Sequence, residues 1–355
     1  MTRIHDPIKE YQPTAYRVRE PLRVPPFLRA FVAVLALVAL VVLAGLGIGR
    51  VITPPMVFAY VSASEAGEML QLYEPRTRAN VTTFQTANRL RNVRWLPSGA
   101  GFIVQDNEQT EWQALPTGGE TRPLTPAEAF GRLNLPAPDW SKYLYVRDNS
   151  LILYDPDAGG GGNVPLLVDL RIREVLWSPD SNKIAVLISE PDAEARRIGI
   201  IDLAAGSWTI ATPEDALYAR MVWSPDSTQL AYAQLPTEVF VYDTGTEAPT
   251  QIPRQGDNPI AALAFSPKSD TLAYAVREGG LYLYHMGRRR QRQIMPELAE
   301  DTRLTWSPNG PWLLVRTGTL VEHDVILVNT WTRHVQQTGL RLPSQAFIAW
   351  QPRAD

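Results

Sequence analysis

From residue 57 onward, apolar residues come in short runs separated by turn residues, and one order of runs repeats along the chain. After Trp223 come Gln229-Leu-Ala-Tyr-Ala233, Val239-Phe-Val-Tyr-Asp243 and the stretch around Thr250-Gln-Ile252. After Phe265 come Thr271-Leu-Ala-Tyr-Ala275, Leu281-Tyr-Leu-Tyr284 and Arg292-Gln-Ile294, and after Trp177 come Lys183-Ile-Ala-Val-Leu187, Ile198-Gly-Ile-Ile-Asp202 and Trp208-Thr-Ile210. Runs this short, rich in β-branched and aromatic residues and bounded by Gly, Pro, Asp, Asn or Ser, predict strands joined by tight turns. No helical period of useful length intervenes.

A phrase heads each set: Val-Leu-Trp-Ser-Pro-Asp-Ser at 175–181, Met-Val-Trp-Ser-Pro-Asp-Ser at 221–227, Leu-Ala-Phe-Ser-Pro-Lys-Ser at 263–269 and Leu-Thr-Trp-Ser-Pro-Asn-Gly at 304–310. Weaker copies stand at Trp95-Leu96-Pro97, Trp140-Ser141 and Trp350-Gln351-Pro352. The landmark aromatics Trp95, Trp140, Trp177, Trp223, Phe265, Trp306 and Trp350 fall 37 to 46 residues apart. Four strands at that period predict the blades of a β-propeller. Ser-Pro-Asp suits a type I turn, since proline presets φ and the Ser and Asp side chains bond nearby backbone. The aromatic before it is a plate suited to packing against the next blade.

The two ends of the array complement each other. Val57-Phe-Ala-Tyr-Val61, Met69-Leu-Gln-Leu-Tyr73 and Val81-Thr-Thr-Phe84 match second, third and fourth strands, with no first strand before them. Phe347-Ile-Ala-Trp350 is a first strand with nothing after it. The expected fold is therefore all-β, a seven-bladed propeller over 57–355 closed by the C-terminal strand, which removes exposed sheet edges.

The first 56 residues follow another pattern. Residues 1–29 hold five prolines and no apolar period, and read as a disordered cytoplasmic tail. Ala30 to Gly49 are free of charge, and such a run spans about 30 Å as a helix, the hydrocarbon thickness of a bilayer. We read 30–50 as an uncleaved transmembrane signal-anchor helix and 51–56 as a short linker. Arg3, Lys9, Arg17, Arg19, Arg23 and Arg29 precede the span and Arg50 alone follows it closely. The positive-inside rule then puts the N-terminus in the cytoplasm and the propeller outside, periplasmic or extracellular. A Gly45/Gly49 pair is too weak a helix-packing signal in so small-residue-rich a span to be assigned a role.

The net charge of −3 gives no bulk attraction to nucleic acid. The absence of cysteine removes disulfides, thiolate metal sites and cysteine nucleophiles.

Trp-Ser-Pro-Asp followed by an Ile/Leu-Ala strand and then a Val/Leu-Tyr strand resembles the TolB-type WD40-like (PD40) propeller repeat, over residues 57–352. The same blade type occurs in prolyl oligopeptidases and dipeptidyl peptidases. The resemblance implies the fold and leaves function open. In this sequence a tail and an apolar span stand where TolB-like proteins carry an N-terminal domain, and no α/β-hydrolase segment accompanies the repeats.

Candidate chemistry is sparse. No Gly-x-Ser-x-Gly elbow occurs, and Ser178, Ser224, Ser266 and Ser307 recur before proline as turn residues. His5 lies in the tail, and His285, His323 and His334 lack the spacing of a zinc site and read as surface residues of outer strands. Asp155-Pro-Asp157 followed by four glycines has Leu166 where a calcium loop needs an acid, so it reads as a flexible hairpin loop. Arg288, Arg289, Arg290 and Arg292 form the densest basic cluster, a candidate contact for anionic lipid headgroups or polyanionic wall polymers. The functional expectation is a non-enzymatic, membrane-tethered scaffold that binds a protein or peptide, without cofactor, metal or nucleic acid. The alternative is a channel-mouth small-ligand binder or a metal-dependent lactonase- or lyase-like enzyme.

Overall fold

The computed structural model describes residues 57–96, 99–106, 111–114, 122–123, 135–139, 141–155, 162–190, 194–212, 217–254 and 257–352. The tail, the apolar span, the linker and Trp140 lie outside them; among the described residues no helix is long and apolar enough to cross a membrane.

Seven four-stranded antiparallel sheets make up the described chain. The first holds β1 (Phe58–Ser64), β2 (Gly67–Glu74), β3 (Ala79–Thr86) and, from the far end of the chain, β28 (Ile348–Trp350). The second holds β4 (Leu90–Trp95), β5 (Phe102–Asp106), β6 (Glu111–Ala114) and β7 (Arg122–Pro123). The third holds β8 (Leu135–Pro136), β9 (Tyr143–Arg147), β10 (Ser150–Asp155) and β11 (Gly162–Leu167). The fourth holds β12 (Arg171–Trp177), β13 (Lys183–Ser189), β14 (Arg197–Asp202) and β15 (Ser207–Ile210). In the fifth are β16 (Tyr218–Trp223), β17 (Gln229–Gln234), β18 (Glu238–Asp243) and β19 (Ala248–Ile252). The sixth has β20 (Ile260–Phe265), β21 (Thr271–Val276), β22 (Leu281–His285) and β23 (Arg290–Met295), and the seventh β24 (Asp301–Trp306), β25 (Trp312–Gly318), β26 (Glu322–Asn329) and β27 (Val335–Pro343).

Second strands such as β13, β17 and β21 are buried on both faces, because apolar cores flank them on either side. That is why they read as continuous apolar runs instead of alternating ones. Fourth strands such as β15, β19 and β23 are largely exposed and polar, as outer edges must be. First strands of successive sheets touch one another, β12 with β16, β16 with β20, β20 with β24 and β24 with β28, so they lie innermost. This is a β-propeller arrangement. Cores form between neighbouring sheets: Leu230 and Tyr232 of the fifth pack with Leu187 and Ile198 of the fourth, and Leu313 and Val315 of the seventh with Ala273 and Leu283 of the sixth.

Two belts of hydrogen bonds tie the sheets. In the first, each landmark indole reaches back to the preceding sheet: Trp177 Nε1 donates to Leu135 O (3.0 Å), Trp223 to Leu176 O (3.1 Å), Trp306 to Ala264 O (3.1 Å) and Trp350 to Thr305 O (3.1 Å). Trp95 does the same across the chain's ends, to Ala349 O (3.2 Å). In each case the acceptor is the carbonyl just before the preceding sheet's landmark position. The aromatic therefore packs on the sheet before it, not the one after, because its ring points back along the array.

The third sheet shows how that position is defined. Its turn bond runs from Ala137 N to Lys142 O, as Ser178 N bonds Lys183 O in the fourth sheet. Pro136 therefore occupies the landmark position, and Pro138-Asp139 is the turn that a reading centred on Trp140 misses. Spacing alone drew the landmark to the nearest tryptophan.

In the second belt, backbone N–H groups of turn aspartates donate to the last serine of the next sheet's phrase: Asp139 to Ser181 Oγ (3.2 Å), Asp180 to Ser227 Oγ (3.0 Å) and Asp226 to Ser269 Oγ (3.2 Å). Ser181, Ser227 and Ser269 have φ of 58–60°, and Gly99 and Gly310 hold the same place at 67° and 65°. The glycine in those copies is a choice for the left-handed region. Within each turn the first serine donates to the aspartate, Ser178 Oγ to Asp180 Oδ1 at 2.5 Å and Ser224 Oγ to Asp226 Oδ1 at 2.6 Å. Burial pushes these carboxyls up, but the serine hydroxyls and the N–H groups of Asn182 and Thr228 together outweigh it and hold them below the usual carboxylate range. A group depressed on folding adds stability above its unfolded value, 3.8, and loses it as pH falls through the folded one. We expect Asp226→Ala to cost about 1–2 kcal/mol at neutral pH. Its melting-temperature deficit relative to the wild type should shrink steadily below pH 3.8 in a calorimetric pH series.

Candidate functional site

The innermost strands carry a repeated irregularity near their first residues. β12 is bulged between Ile172 and Glu174, β16 between Ala219 and Met221, and β20 between Ile260 and Ala262. A bulge inserts one residue and re-aims its neighbours. The inserted residues of β12 and β16 are Arg173 and Arg220, both exposed, and Arg220 has a φ of 54°. The loops that follow the second strands converge on the same place. Arg277 N donates to Pro259 O (2.8 Å) and Leu235 N to Leu217 O (2.7 Å), fastening these loops to the segments leading into β20 and β16.

The result is a cavity of about 420 Å³ lined by Arg173, Arg196, Arg220 and Arg277, with Glu174, and floored by Leu187, Leu235 and Ile260 among others. Four guanidinium groups face one carboxylate. Little inside the cavity offsets them: Arg173 Nε donates to Ser189 Oγ (3.3 Å), and Arg277 lies 3.9 Å from Glu300, a pair in which both side chains are partly open to solvent. The Nε atoms of Arg196 and Arg277 are buried without a hydrogen-bond acceptor. Glu174 is exposed at the edge of the cavity, where partial loss of water raises its carboxyl above the usual range, against the opposing pull of the Arg220 guanidinium. Such a cavity suits a carboxylate, phosphate or sulfate, each of which the planar guanidinium fork can grip in two-point fashion.

No sequence motif marks this site. Its arginines come from three sheets: Arg173 and Arg220 from the bulges of innermost strands, Arg196 and Arg277 from the loops that follow second strands. The sequence signal that existed is positional: Arg173 and Arg220 precede Trp177 and Trp223 by four and three residues.

The residues singled out in the sequence lie elsewhere. Ser178, Ser224, Ser266 and Ser307 are buried turn residues. His323 is not on the surface: it is fully buried, with Nε2 3.1 Å from Asp301 Oδ2. Burial and the nearby Arg316 charge push its imidazole below the usual range, against the pull of Asp301. Strand β26 is central in its sheet, so its side chains are enclosed, and placement on an outer strand was the wrong inference. His334 is exposed, edge-on to Trp312 with ring centroids 6.5 Å apart. The glycine loop after Asp155 falls outside the described residues up to Gly162.

Arg288, Arg290 and Arg292 do come together with other groups. On the opposite end of the strands from the arginine cavity, they line a groove of about 1050 Å³ between the sixth and seventh sheets, with Lys268, His285 and Trp331. Arg289 is exposed on the same hairpin.

No family model matches the chain, and no curated protein matches it. Solved structures do. Oligogalacturonate lyase in complex with manganese aligns over 80% of this chain and 84% of its own, with a TM-score of 0.55 and 13% identity. Oligogalacturonate lyase from Vibrio parahaemolyticus aligns over 79% and 84%, with a TM-score of 0.55 and 12% identity. TolB from Acinetobacter baumannii aligns over 84% and 83%, with a TM-score of 0.46 and 16% identity.

At these identities the likeness is one of fold, the β-propeller. It nevertheless corrects the expectation that the chain is not an enzyme. The lyase structures carry an enzyme's name on the same arrangement, and a propeller assembles its site from residues far apart in sequence, so a missing motif excludes nothing. Among the described residues no three His, Asp or Glu side chains stand together to hold a metal ion. The described residues thus show a β-propeller with one arginine-rich cavity at the inner rim and one basic groove at the opposite face.

Proposed function

We propose that this chain is a seven-bladed propeller, tethered to a membrane through residues 30–50 and held outside the cytoplasm, that recognises an acidic segment of a protein partner at its channel mouth. The uncharged run from Ala30 to Gly49 and the basic residues before it support the tether and its orientation. The seven four-stranded sheets, with β28 completing the sheet that β1 begins, support the blade count and closure. The observation that carries the binding reading is the convergence of Arg173, Arg196, Arg220 and Arg277 on one cavity. Its size admits one or two side chains, which fits an extended acidic segment better than a folded surface. The cavity opens on the end of the strands away from Val57.

Titration of the full chain in detergent with a fluorescent Glu/Asp-rich peptide tests this. Binding should weaken about tenfold on Arg220→Ala or Arg277→Ala, the loss of one charge-assisted contact, and should fall with added salt. Peptide binding unchanged in both variants, or none at low salt, overturns the reading. A second reading, turnover of a small anionic ligand, rests on Glu174. A carboxyl raised by its surroundings and set beside guanidinium groups is suited to carry a proton to or from a bound anion.

A further inference from the structure

The groove between the sixth and seventh sheets has its own chemistry and its own side of the molecule. Val57 O accepts from Gln351 N (3.1 Å), and Gln351 Nε2 donates to Gly99 O (2.9 Å), which belongs to the turn between β4 and β5. The chain thus enters the propeller on the face that carries the first-to-second strand turns. The groove opens on that same face, since it is lined by the equivalent turns at Ser266–Asp270 and Pro308–Pro311. Met286 N bonds Asp270 O (2.8 Å), fastening the arginine hairpin between β22 and β23 to this side.

Lys268, Arg288, Arg289, Arg290 and Arg292 are all exposed there. Facing them is Asp270, whose carboxylate is engaged by the Ser266 and Thr271 hydroxyls at 2.9 Å each. Beside them Trp331 stands 68% exposed, an unusual state for an indole. It is not a loose side chain on a loose loop. Asn329 Oδ1 accepts from the N–H groups of both Trp331 and Thr332 at 3.0 Å, and the Arg292 guanidinium donates to Thr330 O, tying the two hairpins together. Cations around a projecting indole match an anionic bilayer surface: phosphate headgroups neutralise the cations, and indoles settle at the headgroup level.

We infer that this face docks the propeller onto the anionic lipid of the membrane that tethers it. The inference rests on the tether proposed above. Six residues separate Arg50 from Val57, at most about 20 Å of extended chain, so this face is held close to the bilayer. Tethering supplies a high effective concentration, so even weak headgroup contacts suffice. Docking would fix the arginine cavity, at the opposite ends of the strands, pointing away from the membrane.

The chain has no cysteine, so one introduced thiol can carry a polarity-sensitive fluorophore. The full chain would be labelled at Thr332→Cys, beside the groove, or at Val321→Cys, on the opposite face and 73% exposed. It would be reconstituted in nanodiscs of phosphatidylcholine alone or with about 30 mol% phosphatidylglycerol. The expected result is a blue shift at position 332 in anionic discs only, absent at position 321, reversed at about 0.5 M salt and lost in Arg288→Ser/Arg290→Ser. No shift at 332 in chains that co-purify with anionic discs overturns docking and leaves the tether standing. Chains that fail to associate with either disc overturn the tether and docking together. A shift equal at 332 and 321 also overturns docking.

Discussion

Deleting Phe347–Asp355 will lower the melting temperature by at least about 10 °C and leave a product prone to association. β28 contributes only three residues, but each does more than pair. Phe58, Ala59 and Tyr60 lose their partners Trp350, Ala349 and Ile348, and Val61 N loses Phe347 O. Trp350 is 5% exposed, packed edge-on to Phe58 at 5.5 Å, and its removal vacates the core shared with Trp312 and Leu327. Emptying a buried tryptophan site costs about 3–5 kcal/mol. The Trp95 indole on the second sheet then lacks its acceptor, Ala349 O, at a further cost of about 1–3 kcal/mol. Against a total stability of about 5–15 kcal/mol these are large terms. β1 also becomes a bare edge, which invites pairing with another chain. Differential scanning calorimetry with light scattering reads both effects. A truncated protein that melts within about 2 °C of the wild type would show that β28 does not complete the first sheet.

Arg316→Ala should cost about 3–5 kcal/mol, the penalty of breaking a buried charged network. Arg316 is 4% exposed and donates Nη1 to Ala346 O (2.9 Å) and Nη2 to Ser344 O (2.8 Å) and Pro343 O (3.2 Å). It therefore pins the connection between β27 and β28, from inside the seventh sheet. Burial first, then the Arg303 charge, brings its pKa down to about 10, with Asp301 pulling the other way. The group still carries its charge at neutral pH, so three carbonyls keep a donor. Arg316→Lys should recover only part of the loss, because one ammonium cannot reproduce the spread of the guanidinium fork. Melting temperatures of the two variants check this. A double-mutant test is sharper: in the chain lacking 347–355 the Arg316→Ala penalty should fall by more than half, since the connection it pins no longer leads anywhere. Equal penalties in both backgrounds would assign Arg316 to the seventh sheet alone.

Both effects converge on the segment where the chain's end meets its beginning. Such contacts are non-local, 254 residues apart for Trp95 and Ala349, and local propensity does not encode them. The bulges that gather Arg173 and Arg220 are equally hidden, because an inserted residue leaves an ordinary strand pattern in the sequence.

The chain's own pattern determined the strands, the turns and the all-β class. Short apolar runs, Pro-Asp and Gly punctuation and a repeated phrase act within a few residues, where backbone sterics and short hydrogen bonds decide. The phrase also carried more than a turn: its last serine, forced to positive φ, accepts a bond from the sheet before it. Only the tertiary structure decided which residue fills the landmark place in the third sheet, since the hydrogen-bond register of Ala137 and Lys142 outranks the nearest tryptophan. It also decided that His323 is enclosed, since burial depends on which strand is central. The two charged surfaces were settled the same way. The Arg288–Arg292 run was legible as a cluster, but its groove, its tryptophan and its place on the face where the chain enters come from neighbouring sheets. The inner arginines were marked by no motif, only by the place of Arg173 and Arg220 just before two landmarks, because a propeller's rim is drawn from every sheet in turn and no stretch of sequence contains it.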